Sequence, residues 1–145
     1  MSKWATGIRL PNSTDLQIEE AINKAEIIRT HLMRPTWQLV SADDIYWMLE
    51  PTASQIKPIL NSRNKESKLS ETIYTKFNNL IEKALANENH LTRDELVIHL
   101  GKAKIVIDNN RASHITMRAE LDGIICSGST KNKLTLYLTK GFLKQ

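Results

Sequence analysis

The chain has 145 residues, 41% of them hydrophobic, enough for one good core or two small ones. It has no apolar run near the roughly eighteen residues that a membrane-spanning helix needs, nothing in its first residues that resembles a secretory leader, and a lone Cys126, which excludes an internal disulfide and, in practice, zinc held by thiols. The net charge of +4 is uneven: residues 1–100 carry 12 Lys+Arg against 13 Asp+Glu, whereas residues 101–145 carry 8 against 3. A phosphate-binding face is built in this way, as is a merely solubilising surface; a cytoplasmic protein is expected.

The first element is a short helix over 13–24, capped by Ser13 or Thr14, with Glu19 and Glu20 near its start. Residues 27–33 and 36–40 have strand character and are separated by Arg34-Pro35, which reads as a hairpin or two adjacent strands packed on that helix. Ser41 caps the next helix, with Asp44 at the capping-box position and Ile45, Met48 and Leu49 on one stripe. Pro51 is expected to end or kink it. A further short helix spans 52–60, and the polar run 61–67 reads as a loop. Residues 69–87 form the most regular helix, capped by Ser70, with Ile73, Phe77, Leu80, Ile81, Ala84 and Leu85 at three- and four-residue spacings.

Thr92 and Glu95 make a Thr-x-x-Glu capping box for the next helix, whose apolar face is Leu96, Val97 and Leu100. A third helix runs over 110–122 and buries Ala112, Ile115 and Ala119, with Met117 or Leu121. Gly123 can adopt the left-handed conformation that stops it. Strands at 124–126 and 134–138 then flank a basic polar loop, 127–133. Helix, helix, hairpin is the order of a winged helix-turn-helix. The expected fold class is therefore α+β, with two units. Residues 1–60 hold a partial first winged helix with its β-hairpin and connecting helices, and residues 61–145 hold a complete winged helix-turn-helix.

Four stretches carry a resemblance to a known family. They are Arg29-Thr30-His31 with Arg34-Pro35-Thr36-Trp37-Gln38-Leu39-Val40, then Ala42-Asp43-Asp44-Ile45-Tyr46-Trp47-Met48-Leu49, then Leu91-Thr92-Arg93-Asp94-Glu95-Leu96, and Arg118-Ala119-Glu120-Leu121-Asp122-Gly123-Ile124-Ile125-Cys126-Ser127-Gly128. Together they resemble the AlkZ-like, or YcaQ-like, winged-helix DNA glycosylases, over nearly the whole chain. The resemblance implies tandem winged helices and removal of alkylated bases, including those in interstrand crosslinks. It also implies a Gln-x-Gln or Gln-x-Asp catalytic motif shortly before a segment like residues 3–10. The four glutamines here, Gln17, Gln38, Gln55 and Gln145, form no such motif. Gln38 stands where the family commonly has His. The chain thus resembles a central portion of the family's sequence, and catalysis by it alone is not expected.

Duplex DNA, damaged or intact, is the expected partner. Its expected contacts are Asn110, Arg111, Ser113, His114 and Arg118 on the exposed part of the third helix, Lys131 and Lys133 at the wing tip, and Arg34 at the tip of the first hairpin. No catalytic residue is assigned. His31, His90, His99 and His114 lack metal-ligand spacing, so neither a metal nor a cofactor is expected. The carboxylates Asp43, Asp44, Glu95, Glu120 and Asp122 are each expected to be structural, with Arg118 or Arg111 as a partner for the pair near the helix end. Two other readings stay open: a structural or protein-docking module, with a homodimer covering surface left exposed, and a transcription regulator.

Overall fold

The computed structural model describes residues 4–33, 36–67, 69–86, 90–101, 108–128 and 135–138. A six-residue helix α1 (Trp4–Arg9) precedes α2 (Asp15–Asn23). Thr14 and Gln17 cap α2 reciprocally, each side chain accepting from the other's backbone N–H. Nothing in the sequence pattern marked α1, which contains Gly7 and is too short to show a period. After α2, Ala25 takes a left-handed turn at φ 59°. Glycine would adopt this turn at less cost, but the Ala25 methyl group is buried in the core.

The hairpin β1 (Ile27–Leu32) and β2 (Thr36–Ser41) is antiparallel, with Ile28 opposite Val40 and His31 opposite Trp37. A 3-10 turn (Ala42–Asp44) leads into α3 (Ile45–Ser67). Here the structure corrects two expectations, for α3 is one helix through both prolines and through the supposed loop at 61–67. Each interior proline costs about 3 kcal/mol of helix propensity. Buried Ile45, Leu49, Thr52, Ile56 and Leu60 lie along one side of α3, three and four residues apart, and their packing outweighs that cost. The hydroxyl of Thr52 also donates to the Met48 carbonyl within the turn that holds Pro51.

Ser70 caps α4 (Glu71–Ala84), which buries Tyr74, Phe77 and Ile81. The short β3 (Leu91–Thr92) and α5 (Arg93–Gly101) follow, and the capping box forms as expected: Thr92 Oγ1 accepts from the Glu95 N–H, and Glu95 Oε2 accepts from the Thr92 N–H. Helix α6 (Asn109–Leu121) is capped by Asp108 and stopped by Gly123 at φ 67°. Strands β4 (Ile125–Ser127) and β5 (Thr135–Leu138) complete an antiparallel sheet in the order β2-β1-β4-β5-β3.

The molecule is thus α+β, and its one five-stranded sheet takes strands from both expected units, joined where Arg29 of β1 pairs with Ser127 of β4. The division at residue 60 falls inside α3. One core cluster lies between α4, α5 and α6 around Phe77, Leu96 and Ile115; a second lies under the hairpin around Ile28, Leu32 and Ile45. A third, Ile56 and Leu60 with Leu121, seats α3 on α6. Among the described residues, no helix is long and apolar enough to cross a membrane.

Candidate nucleic-acid interface

Three sides of α6 are packed. Ile115 and Ala119 enter the α4–α5 core, Leu121 meets α3, and Glu120 meets β1. Among the described residues, the first turns of α6 are left open. Asn110 and Ser113 are exposed, and Arg111 and His114 are half-buried. The Ser113 hydroxyl accepts from Arg93 Nη2 at 2.6 Å, so the start of α5 joins this open end of α6. Of the expected contact residues, these four share one end of the helix. Arg34, Lys131 and Lys133 lie outside the described residues.

Arg118 is the correction. The spacing placed it on the exposed side, but it is only 8% exposed. Its Nη atoms donate to the Glu71 carboxylate at 2.9 and 2.7 Å, its Nε donates to Asp122 at 3.1 Å, and its guanidinium lies over the Tyr74 ring. Burial works against the charge of Arg118, but the hydrogen bonds to Glu71 and Asp122 win and raise its pKa. Asp122 also takes Lys57 at 2.6 Å and the Asn78 amide at 2.8 Å. Its burial opposes ionisation, but these donors and Arg118 lower its pKa overall. The expectation of a structural role, with Arg118 as partner, therefore holds for Asp122. The group ties α3, α4 and α6 together.

Glu120 has a different partner. It is 1% exposed and accepts from the backbone N–H of His31 at 3.1 Å, and its Oε2 lies 2.5 Å from His31 Nδ1. Burial raises its pKa, more than the bonds to His31 and the charge of Arg29 lower it. A carboxylate beside an imidazole is suited to moving protons, but this one is closed off, so its role here is to hold β1 on α6. No sequence pattern announced the pair, since its members are 89 positions apart. Beyond it, on the same side of β1, Arg29 lies 3.8 Å over the Trp37 ring, and Trp37 is 45% exposed. Among the described residues, no group of three or more His, Cys, Asp or Glu is placed to hold a metal ion.

The chain belongs to the AlkZ-like DNA glycosylase family, whose profile matches residues 1–140. Among solved structures it is similar to the DNA glycosylase AlkZ of Streptomyces sahachiroi, with a TM-score of 0.72 at 20% identity. The likeness covers 88% of this chain and 36% of that one, so the chain spans well under half the length of that protein. No curated protein matches it.

Proposed function

We propose that the chain binds duplex DNA and serves base repair of the glycosylase type, on alkylated or crosslinked bases, in the cytoplasm. The observation that carries this reading is the family profile over residues 1–140. Two physical features support it. The order α5, α6, β4, β5 is that of a winged helix, in which the N-terminal part of the second helix meets the base edges; here that part is the open end of α6. The segment 101–145, with 8 basic residues against 3 acidic, supplies the charge that phosphates require.

In this reading residues 1–60 close a first winged helix and residues 61–145 form a second, fused by the β1–β4 pairing. Asn110, Arg111, Ser113 and His114 meet the DNA, and Lys131, Lys133 and Arg34 are proposed as further contacts. No Gln-x-Gln or Gln-x-Asp motif is present, and the reading assigns this chain DNA recognition rather than the bond-breaking step.

Titration of a fluorescent duplex, with and without an abasic or alkylated site, tests this as salt is raised. Micromolar or tighter binding that weakens with salt is expected. Absence of binding at low salt overturns the reading and favours a docking module.

A further inference from the structure

Arg93 opens α5 directly after the capping Thr92, and it is exposed. Its Nη2 donates to Ser113 Oγ at 2.6 Å, so the contact runs from the start of α5 to the open end of α6 across 20 positions of sequence. A guanidinium carries donors only, spread in a planar fork, and the serine meets it as an acceptor. The bond gives a set direction to an exposed side chain that water would otherwise leave among many rotamers.

Two of the carboxylates in these turns are aimed at helix caps. Glu95 Oε2 accepts from the N–H and the hydroxyl of Thr92 at 2.7 and 2.9 Å, and Asp108 Oδ1 accepts from the Arg111 N–H at 2.8 Å. The third, Asp94, is exposed. A surface hydrogen bond from an arginine to a neutral hydroxyl adds little to stability. What it supplies is aim. In a helix-turn-helix the first helix crosses the phosphate backbone while the second enters the groove, which puts the first residue of α5 beside a phosphate. A fork already held there can meet two phosphate oxygens at once with less rotamer freedom left to lose.

We infer that Arg93 is a DNA phosphate contact and that Ser113 is its positioning residue. The inference rests on the function proposed above and adds to it a binding residue from a second helix. Ser113 then serves the DNA chiefly by holding Arg93, and Arg111, two residues before it on the same open turns, makes a separate contact.

The test is binding of a fluorescent duplex at several salt concentrations by the natural chain, Arg93→Ala, Arg93→Lys, Ser113→Ala and the double variant with alanine at both positions. Urea unfolding shows that each chain is folded. Arg93→Ala is expected to lower the slope of log affinity against log salt by about one, the loss of a single phosphate contact. Arg93→Lys and Ser113→Ala keep the charge but lose the aimed fork, so each should retain the slope and bind about threefold more weakly. At least about half of the Ser113→Ala loss, on a logarithmic scale, should vanish when Arg93 is already alanine. A merely structural link couples the two residues in stability and not in affinity. An unchanged slope in Arg93→Ala, with a lowered one in Arg111→Ala, overturns the inference and leaves the proposed function standing. An equal Ser113→Ala loss with and without Arg93 also overturns it. Absence of duplex binding by the natural chain at low salt overturns the proposed function, and the inference with it.

Discussion

The Nδ1 atom of His31 lies 2.5 Å from Oε2 of Glu120, across 89 positions of sequence. This pair, with the adjoining contact of β1 and β4, joins the hairpin at the start of the chain to the helix near its end. Both side chains are buried, so neither keeps water as an alternative partner. Glu120→Ala is expected to cost roughly 2–4 kcal/mol, because it leaves the imidazole and the His31 backbone N–H without their acceptor. Urea unfolding at neutral pH measures it. A loss under about 0.5 kcal/mol, the size of an ordinary surface change, would show that the pair holds nothing.

The same carboxylate sets a pH trend. Its folded pKa is raised above the ordinary 4.5, chiefly by burial. A raised value means the folded state favours the neutral acid. The stability it contributes is full below the unfolded pKa and is lost as pH rises through the folded one. Glu120→Gln removes that titration and retains an acceptor for His31. The stability of the natural chain relative to this variant is therefore expected to fall from pH 4.5 upward, and a difference that rises with pH refutes the assignment. Asp122, two residues on, is shifted the other way; its contribution is present at neutral pH and lost as pH falls through its lowered value.

Gly123 ends α6 at φ 67°. An added Cβ would meet nothing closer than the Tyr46 ring at 3.9 Å, an ordinary contact, so backbone conformation alone sets the cost. Gly123→Ala is expected to destabilise by about 1 kcal/mol, and Gly123→Asn by less, since asparagine tolerates the left-handed region. Thermal unfolding of both variants checks the order. Equal stability of all three chains would mean that the turn has another conformation in solution.

Most of the elements follow from local signals. The caps at Thr14, Ser70 and Thr92, the pairing of β1 with β2 and the stop at Gly123 are short-range chemistry, decided within a few residues. The intrinsic cost of Pro51 is outweighed by the buried side of α3, which depends on Leu121 and Cys126 far along the chain. The joining of two sheets into one, and Glu120 with His31, are long-range and had no local trace. Arg118 divides the two cases: its partner Asp122 lies four residues on and is legible locally, whereas Glu71, 47 positions away, is not, and the expected exposed position is overturned by its burial.

Cys126 is buried, and burial with the nearby charge of Glu120 pushes its thiol up to about 12. The thiolate is the reactive form. The folded chain is expected to leave a disulfide reagent unreacted at pH 8 over minutes, and to react with one equivalent in denaturant. Fast reaction of the folded chain would show that β4 opens readily.

Arg111 and Arg118 lie on one helix, and the structure separates them. Arg111 stands in the open first turns of α6, while Arg118 is enclosed by Glu71, Asp122 and Tyr74. Arg118→Ala is expected to cost about 2 kcal/mol of stability, because it removes hydrogen bonds and the cover of Tyr74 while Lys57 and Asn78 remain on Asp122. Below the denaturation range its duplex affinity and salt dependence should match those of the natural chain. Arg111→Ala should leave the Glu71–Arg118–Asp122 group intact and lower the slope of log affinity against log salt by about one, the loss of a single phosphate contact. Paired measurements of urea unfolding and of duplex binding at several salt concentrations decide the matter. Loss of duplex affinity in folded Arg118→Ala, with none in Arg111→Ala, would place the DNA on another face of the molecule and remove the open end of α6 from the proposed interface.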